Sequence, residues 1–435
     1  MPVKNIKVQR KKAPEVFEVR EINIPQPEIS YLPNGIPLYV TRMGTQPIVK
    51  VEFIFFSGRA EEQKKLESRA TLRMLREGTK KHSAAEWTEE VEFLAGTVSM
   101  PVLFDTNRIV VYALTKNMLP LLNLVAEIIF EPLFPEKELS VWAKNNIQKL
   151  AVELTKNDVI AYRKITEVLF GEDTAYGYST VAEDFNALTT EDLKRYYRDN
   201  FTSDNMSILM AGDVNDGIRK HIETLFGNFN SKKIILPPAR LLKLEPNTTR
   251  KSVLHYSAAN PETTQTSIRI GRRFAPRHDP DYFGVNILNV ILGGYFGARL
   301  MMNIREKKGY TYNIYSSLET YSHDGYFYIA SDVGNAFVKK AIKEIYIEIQ
   351  KLIDTPVSDA ELGMVRSYLL GNMLQLIDGP MNVSEVISGY VSEKLPFDTL
   401  ERFIAYLKNV TPQDIQRLAA KYLDPKDLTE LTVGK

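Results

Sequence analysis

The alternation of hydrophobic and polar positions divides the first half of the chain into strands and helices. Residues 31–40 hold an Asn-Gly pair between two short apolar stretches. This pattern predicts a β-hairpin, because Asn-Gly fits a tight turn. Residues 49–56 and 108–114 are rich in β-branched and aromatic residues and predict strands. The spacing of apolar residues over 118–130 predicts a helix.

The second half repeats this mixture of elements. Strands are predicted at 266–271 and 325–331, and helices at 282–292, 336–353 and 358–377. The last of these helices opens with a Ser-x-x-Glu capping box. Strands mixed with long helices predict an α+β fold, in which an antiparallel sheet carries helices on one face.

The two halves also share a sequence repeat at one offset. Residues 189–195 match 411–417, and residues 207–212 match 429–434, with the same shift of 222 positions (411 − 189 and 434 − 212). In both copies a threonine precedes an amphipathic helix and an aspartate follows three residues later, as a helix cap requires. A repeat of this length indicates two tandem homologous domains.

Proline-rich sequence marks the boundary between the two copies, since it interrupts the periodicity of the chain. We therefore predict an N-terminal domain at 1–235, a connector at 236–250 and a C-terminal domain at 251–435. The connector is expected to hold an extended path that sets the angle between the domains.

Composition excludes several kinds of function. The net charge of +1 provides no field to recruit nucleic acid, and the absence of cysteine excludes thiolate catalysis and Cys-ligated zinc. Five histidines are present, and no two have the i, i+2 or i, i+4 spacing of a local metal clamp. No apolar run is long enough to span a bilayer. Because no apolar segment follows the basic N-terminus, we expect a cytoplasmic protein, or a periplasmic one if the chain has been trimmed.

Several motifs follow one another along the chain in a specific order. They read AYGYST at 175–180, LTTEDLKRYYRDNF at 188–201, LGGYFGARL at 292–300 and REKKGYTY at 305–312. In this order they resemble the motifs of the pitrilysin, insulysin and mitochondrial-processing-peptidase family, the inverted zincins, and the resemblance covers nearly the whole chain. It implies two homologous α+β domains per chain. Two such chains, or one doubled chain, close like a clamshell around a peptide.

The zinc motif of that family, H-x-x-E-H, is degenerate here. Arg69 and Arg73 stand at the two ligand positions, and Leu72 stands at the position of the general base. A guanidinium remains protonated and offers no lone pair to a metal. The family's third ligand is a glutamate about 70–80 residues downstream, in a helix. The comparable stretch, 140–150, contains no carboxylate, so this chain is expected to hold no zinc.

Two further sets of residues follow from the resemblance. Arg305 and Tyr312 match a pair that faces the zinc from another domain and is proposed to steady the tetrahedral oxyanion of the substrate. Residues 94–100 match the edge strand that pairs with substrate backbone, which makes Gly96, Thr97, Val98 and Ser99 candidate peptide-binding residues. A plain edge strand without ligand remains the alternative for that segment.

Together these features predict a chain that is inactive alone and belongs to a zinc-dependent metalloendopeptidase complex. It would be the non-catalytic subunit of a heterodimer, with zinc in a homologous partner that carries an intact H-x-x-E-H motif. In this interpretation Arg305 and Tyr312 act in trans on a peptide substrate. The alternative is a catalytically inert structural or binding protein, either a scaffold like the core subunits of respiratory complexes or a peptide-holding homodimer.

Overall fold

The computed structural model describes residue 22, residues 24–229 and residues 252–435. Within these ranges the chain forms two β-sheets, each built from one half of the sequence and packed against helices. The α+β class predicted from the sequence is confirmed. The connector predicted at 236–250 lies outside the described residues, so the predicted boundaries between the domains remain predictions.

The first sheet has six strands within residues 24–229. They are β1 (Glu28–Tyr31), β2 (Pro37–Arg42), β3 (Ile48–Phe55), β4 (Thr97–Ser99), β5 (Asn107–Leu114) and β6 (Met206–Gly212). Their order is β1-β2-β6-β3-β5-β4, so β4 lies at one edge. The predicted hairpin is confirmed, because β1 and β2 pair antiparallel up to the Tyr31–Pro37 pair.

The second sheet has five strands within residues 252–435. They are β7 (Ser252–Ser257), β8 (Gln265–Phe274), β9 (Thr311–Thr320), β10 (Gly325–Gly334) and β11 (Thr429–Gly434). Their order, β7-β11-β8-β10-β9, matches that of the first sheet without β1. Each sheet has one parallel pair, β2–β6 or β7–β11, in addition to the antiparallel pairs that the sequence predicted. The last strand of each half enters the sheet after a helical crossover, which permits parallel pairing.

Fourteen α-helices occur in the described ranges. Those of the first half are α1 (Glu67–Met74), α2 (Ala84–Phe93), α3 (Met118–Phe130), α4 (Glu136–Glu153), α5 (Asn157–Phe170), α6 (Ala182–Asn186), α7 (Thr190–Asn200) and α8 (Asp216–Phe226). Those of the second half are α9 (Tyr282–Asn289), α10 (Val338–Asp354), α11 (Asp359–Leu376), α12 (Pro380–Glu393), α13 (Thr399–Asn409) and α14 (Pro412–Tyr422). Helix α9 ends before the predicted residue 292, because the chain continues there as a π-helical turn, Val290–Gly294.

The repeated helix caps predicted from the sequence are present in both halves. The hydroxyl of Thr189 accepts a hydrogen bond from the backbone N–H of Asp192 at the start of α7 (3.3 Å). Thr411 and Asp414 form the same bond at the start of α14 (3.2 Å). In each copy the aspartate accepts a bond from the backbone N–H of the threonine in return. These reciprocal bonds satisfy N–H groups that a helix start otherwise leaves without partners.

Each half contributes one helix to the sheet of the other. Helix α5 packs on β8 and β11, and helix α12 packs on β2 and β6. Apolar side chains of α5, including Ala161 and Ile165, share a buried cluster with Tyr326 and Leu431 of the second sheet. A helix from the other half therefore covers part of each sheet. The two halves bury apolar surface against each other in this way.

A buried charge network joins α12 to the first sheet. The ammonium nitrogen of Lys50 lies 2.8 Å from a carboxylate oxygen of Glu52 and 2.7 Å from one of Glu385 on α12. The hydroxyl of Ser388 donates to Glu52 (2.7 Å) and accepts from Arg108 (2.9 Å). Burial alone would lower the pKa of Lys50, but the charge of Glu52 and the hydrogen bond to Glu385 raise it. Lys50 therefore stays charged in the interior.

A second buried carboxylate lies beneath the start of α1. One oxygen of Glu62 accepts from the backbone N–H of Ser68 (3.1 Å), and the other accepts from the hydroxyl of Tyr178 (2.7 Å). Burial raises the pKa of Glu62 to about 7, although the nearby charge of Arg59 and these hydrogen bonds lower it. In the folded protein Glu62 therefore holds its proton up to a pH of about 7.

We predict that Lys50→Met lowers the free energy of unfolding by about 3–5 kcal/mol, because it leaves the carboxylate of Glu52 buried without its closest cation. Urea unfolding at pH 7 measures the change. The matched control is Glu385→Gln, which removes the more exposed partner and should cost about 1 kcal/mol or less. Equal losses in the two variants would contradict the buried-pair account.

We predict that stability falls as the pH rises from about 4.5 through about 7, because the folded state holds a proton on Glu62 that the unfolded state releases at lower pH. Glu62→Gln mimics the protonated side chain. Its advantage over the unmodified chain should grow by about 2–3 kcal/mol between pH 5 and pH 8, measured by urea unfolding. The exposed Glu172, changed to Gln, is the control and should show no such growth. A constant difference between Glu62→Gln and the unmodified chain would contradict the prediction.

Candidate functional site

Helix α1 carries the three positions of the degenerate zinc motif. Leu72 is fully buried and belongs to the apolar core of the first half, together with Ala70. Arg69 and Arg73 lie one helical turn apart and line a cavity between α1 and α4. Leu72 therefore cannot act as a general base, and the two arginines occupy the face from which metal ligands would project.

The guanidinium of Arg69 contacts α4. Its Nη2 donates a hydrogen bond to the amide oxygen of Asn146 (3.1 Å), a residue 77 positions downstream. The amide nitrogen of Asn146 donates to the backbone carbonyl of Trp142 (2.8 Å), which fixes the orientation of the buried amide. Its spacing of 77 residues to Arg69 falls within the 70–80 residues that the resemblance implies for the third ligand, so Asn146 is our candidate for that position within 140–150. A hydrogen bond joins the two helices at the place where the resemblance implies a shared metal.

Arg73 is only partly satisfied by the residues around it. Its Nη2 forms an ion pair with Glu77, one turn later (2.7 Å). Its Nη1 is buried and makes no hydrogen bond within the described ranges. Burial and the charge of Arg73 lower the pKa of neighbouring Arg76, and burial and the charge of Arg59 lower that of Arg69. These directions indicate crowded positive charge, which opposes the binding of a metal cation.

The cavity beside these side chains has a volume of about 390 Å³. We call it the arginine pocket. Its charged lining residues are Arg69, Arg73, Arg76, Lys149, Glu77 and Glu138. In the part of the chain that the structure describes, no group of three or more His, Cys, Asp or Glu side chains could hold a metal ion. The pocket thus offers hydrogen-bond donors and positive charge where a peptidase would offer metal ligands.

The predicted peptide-binding strand leads into the same pocket. Strand β4 pairs with β5 and leaves its other edge open, with Thr97 and Ser99 exposed and Val98 packed on the core. Met100 and Val102, which follow the strand, line the arginine pocket. The structure therefore brings Arg69 and Arg73 close to the segment that follows the edge strand, whereas Gly96, Thr97, Val98 and Ser99 are not lining residues of the pocket.

Gly96, just before β4, has a packing role. A Cβ atom at this position would lie 2.6 Å from the Cδ2 atom of Leu121, closer than such atoms approach. The backbone N–H of Gly96 donates to the carbonyl of Val91 (3.0 Å), which ends helix α2 and starts the turn into the strand. The glycine is needed so that the edge strand can pack closely on α3.

Arg305 and Tyr312 lie in the second half and are not lining residues of the arginine pocket. Arg305 belongs to a π-helical segment, Met301–Lys307; its guanidinium lies 4.9 Å from the ring centre of Phe296 and 3.6 Å from a carboxylate oxygen of Glu306. Tyr312 is near the start of β9, the edge strand of the second sheet, and is 88% exposed. Its hydroxyl makes no hydrogen bond to any described residue. Tyr312 thus faces solvent, whereas Arg305 is half-buried and its Nη1 donates to the Sδ atom of the buried Met301 (3.9 Å).

Sequence reasoning missed several residues of this site. Asn146 could have been found from its spacing of 77 residues to Arg69. Arg76 and Lys149 carry no motif, and only the packing of α1 against α4 shows that they share a pocket. The pairing of Val102 with Asn107, which carries the chain past β4 and along the pocket, is likewise a tertiary feature.

Comparison with known proteins finds one matching family model, and also several relatives that cover most of this chain. Residues 187–369 match the family model "Peptidase M16 inactive domain". A Rickettsia felis protein named an uncharacterized zinc protease is 24% identical, with 90% of this chain and 94% of that protein covered. The probable inactive metalloprotease YmfF of Bacillus subtilis is 22% identical, with 70% of this chain and 72% of that protein covered.

The mitochondrial-processing peptidase appears among the relatives through both of its subunits. The beta subunit of Blastocladiella emersonii is 21% identical, with 95% of this chain and 90% of the subunit covered. The human alpha subunit is 23% identical, with coverages of 75% and 67%.

Two solved structures share the fold. A Helicobacter pylori protease superposes with a TM-score of 0.84 at 17% identity, covering 94% of this chain and 99% of that one. A peptidase M16 inactive domain from Pseudomonas fluorescens superposes with a TM-score of 0.80 at 20% identity, covering 94% and 98%. The family model and the relatives show that this chain is similar to the M16 peptidases, and Arg69, Leu72 and Arg73 stand where their H-x-x-E-H motif would lie.

Proposed function

We propose that this chain is the non-catalytic subunit of a heterodimeric zinc metalloendopeptidase. Its partner would be a homologue with an intact H-x-x-E-H motif, which holds the zinc. This chain would close the other half of the chamber, bind part of the peptide and supply Arg305 and Tyr312 to the partner's active site. The proposal extends what the comparisons establish, a non-catalytic M16-like protein.

The loss of all three ligand positions supports a division of labour between two chains. Arg69 and Arg73 are cations, and Asn146 is an amide already engaged with Arg69 and Trp142. A hydrolytic site that depended on these residues would have neither metal nor base. Chemistry in the complex would therefore rest on another subunit, and the relatives named as alpha and beta subunits of the mitochondrial-processing peptidase support such a division.

The observation that carries the proposal is the solvent exposure of Tyr312 and the absence of a hydrogen bond from its hydroxyl to the described residues. A tyrosine 88% exposed on an edge strand leaves its ring in water, and its hydroxyl has no hydrogen bond to the described residues. The packing of the described residues does not require that side chain. A phenol and a guanidinium are both hydrogen-bond donors, and such donors contribute most where negative charge develops in a transition state.

The peptide would bind as an extended strand beside β4. Main-chain pairing at an open edge provides affinity without a sequence requirement, and the side chains on alternate positions meet the pocket walls. The partner's zinc would supply the activated water. Arg305 and Tyr312 would then donate hydrogen bonds to the substrate oxygen as it becomes an oxyanion.

A second candidate, an inert scaffold or peptide-holding homodimer, is favoured by the surroundings of Arg305. Its guanidinium already packs over Phe296 and lies near Glu306, and these contacts support a structural role within this chain. A chain of complex III2 from Candida albicans has the same fold, with a TM-score of 0.74 at 13% identity, over 94% of this chain and 95% of that one. In this alternative, side-chain changes at Arg305 and Tyr312 have no effect on peptide cleavage.

We predict that Arg305→Ala or Tyr312→Phe lowers the turnover of the heterodimer by about ten- to a thousand-fold, as the loss of one oxyanion donor does. The measurement is steady-state cleavage of a quenched fluorescent peptide by the purified complex. Assembly is checked by size-exclusion chromatography, so that a loss of turnover is not a loss of partner.

The matched control is Tyr310→Phe. This ring stacks on Phe337 inside the chain, with ring centres 5.1 Å apart, so removal of its hydroxyl should leave turnover within about two-fold. Unchanged turnover in both Arg305→Ala and Tyr312→Phe would overturn the role in trans and favour the scaffold.

A further inference from the structure

The arginine pocket has more positive than negative charge along its walls. Four cationic side chains line it, Arg69, Arg73, Arg76 and Lys149, against two carboxylates, Glu77 and Glu138. Of the two carboxylates, Glu77 is engaged by Arg73, while no ion pair to Glu138 occurs within the described residues. A cavity with this excess of positive charge attracts an anion.

Hydrogen-bond donors in the pocket also lack acceptors. The Nη1 atom of Arg73 is buried without a hydrogen bond to any described residue. The guanidinium of Arg76, next to it, forms no ion pair or hydrogen bond in that same part of the chain, and its lowered pKa reflects burial and the charge of Arg73. A buried donor without an acceptor is costly, so a ligand that accepts from Arg73 would relieve that cost, and the half-buried Arg76 beside it offers further donors.

We infer that the arginine pocket binds a carboxylate, presented by a peptide that lies along β4. The place of the former metal would thus have become an anion-binding subsite. Guanidinium groups suit this ligand because their planar forks match a carboxylate and form charge-assisted hydrogen bonds. That the carboxylate belongs to a peptide rests on the proposed peptide-binding role of this chain. The preference for an anion rests on the residues of the pocket alone.

The position of the pocket argues for a peptide carboxylate. Strand β4 ends at Ser99, and the next residues, Met100 and Val102, form part of the pocket wall. A peptide paired with the open edge of β4 would therefore place a side chain or its own terminus at the pocket mouth. The carboxylate could be a C-terminus or that of an Asp or Glu side chain, and the experiment separates the two.

The test uses the isolated full chain and fluorescence anisotropy of labelled peptides. One peptide has a free C-terminus and no acidic side chain, a second has an amidated C-terminus and one glutamate, and a third is amidated with glutamine in place of that glutamate. We expect at least one carboxylate-bearing peptide to bind about ten-fold more tightly than the third. The stronger of the first two identifies the source of the carboxylate.

Variants locate the binding. Arg76→Gln, and separately Arg73→Gln, should abolish most of that ten-fold preference, because each removes a guanidinium group that lines the pocket. Glu138→Gln should increase the affinity about two-fold, because it removes a like charge. Lys144→Gln, an exposed cation on α4 that lines a different cavity, is the matched control and should leave the preference unchanged.

Two results would overturn the inference. One is equal binding of all three peptides by the unmodified chain, and the other is a carboxylate preference that survives both Arg73→Gln and Arg76→Gln with their thermal unfolding intact. Because no partner is present in this assay, its failure leaves the proposed heterodimer untouched. Loss of the heterodimer's activity in Tyr312→Phe is likewise independent of the pocket.

Discussion

The two halves of this protein depend on a charge network buried where helix α12 covers the first sheet. Lys50 and Glu52 project from the same face of β3 and are both almost wholly inaccessible to solvent. Their charges are tolerated because they pair with each other and because Glu385, Ser388 and Arg108 add an ion pair and hydrogen bonds around them. A shift of α12 that still covered the sheet would leave these charges buried without Glu385 and Ser388. The network thus favours one arrangement of the halves, in addition to the apolar contacts of helix α5 with the second sheet.

The first half keeps the apolar packing of helix α1, but its polar face carries cationic side chains in place of metal ligands. Leu72 and Ala70 fill the core as any apolar pair would, so helix α1 needs no metal to hold its place. The opposite face has exchanged ligands for guanidinium groups, and the bond between Arg69 and Asn146 connects the helices α1 and α4 directly. A fold can lose its chemistry in this way, because catalysis resides in a few side chains and stability in many others.

Much of the fold could be predicted from the sequence, because it is determined by local patterns. The hairpin at Asn34-Gly35, the helix Met118–Phe130 and the capped helices after Thr189 and Thr411 follow from turn chemistry, apolar periodicity and side-chain caps. The repeat at one offset predicted that both halves have one topology, and the two strand orders agree with it.

The features that the sequence did not predict are those that depend on contacts between distant segments. One is the parallel pairing of β2 with β6. Another is the packing of α5 on the second sheet and of α12 on the first. The same holds for the site. The motif located Arg69, Leu72 and Arg73, but the packing of α1 on α4 was needed to bring Asn146 and Lys149 to the same pocket. The placement of Arg305 and Tyr312 opposite a zinc in another chain remains a prediction.

The measurement that tests the central claim most directly is affinity capture of this chain from the cells that naturally produce it. The captured material is identified by mass spectrometry and assayed on a quenched peptide with and without a metal chelator. The account predicts a co-purifying homologue with an H-x-x-E-H motif and cleavage that the chelator abolishes, whereas the isolated chain cleaves nothing. A homodimer without such a partner and without cleavage would contradict it.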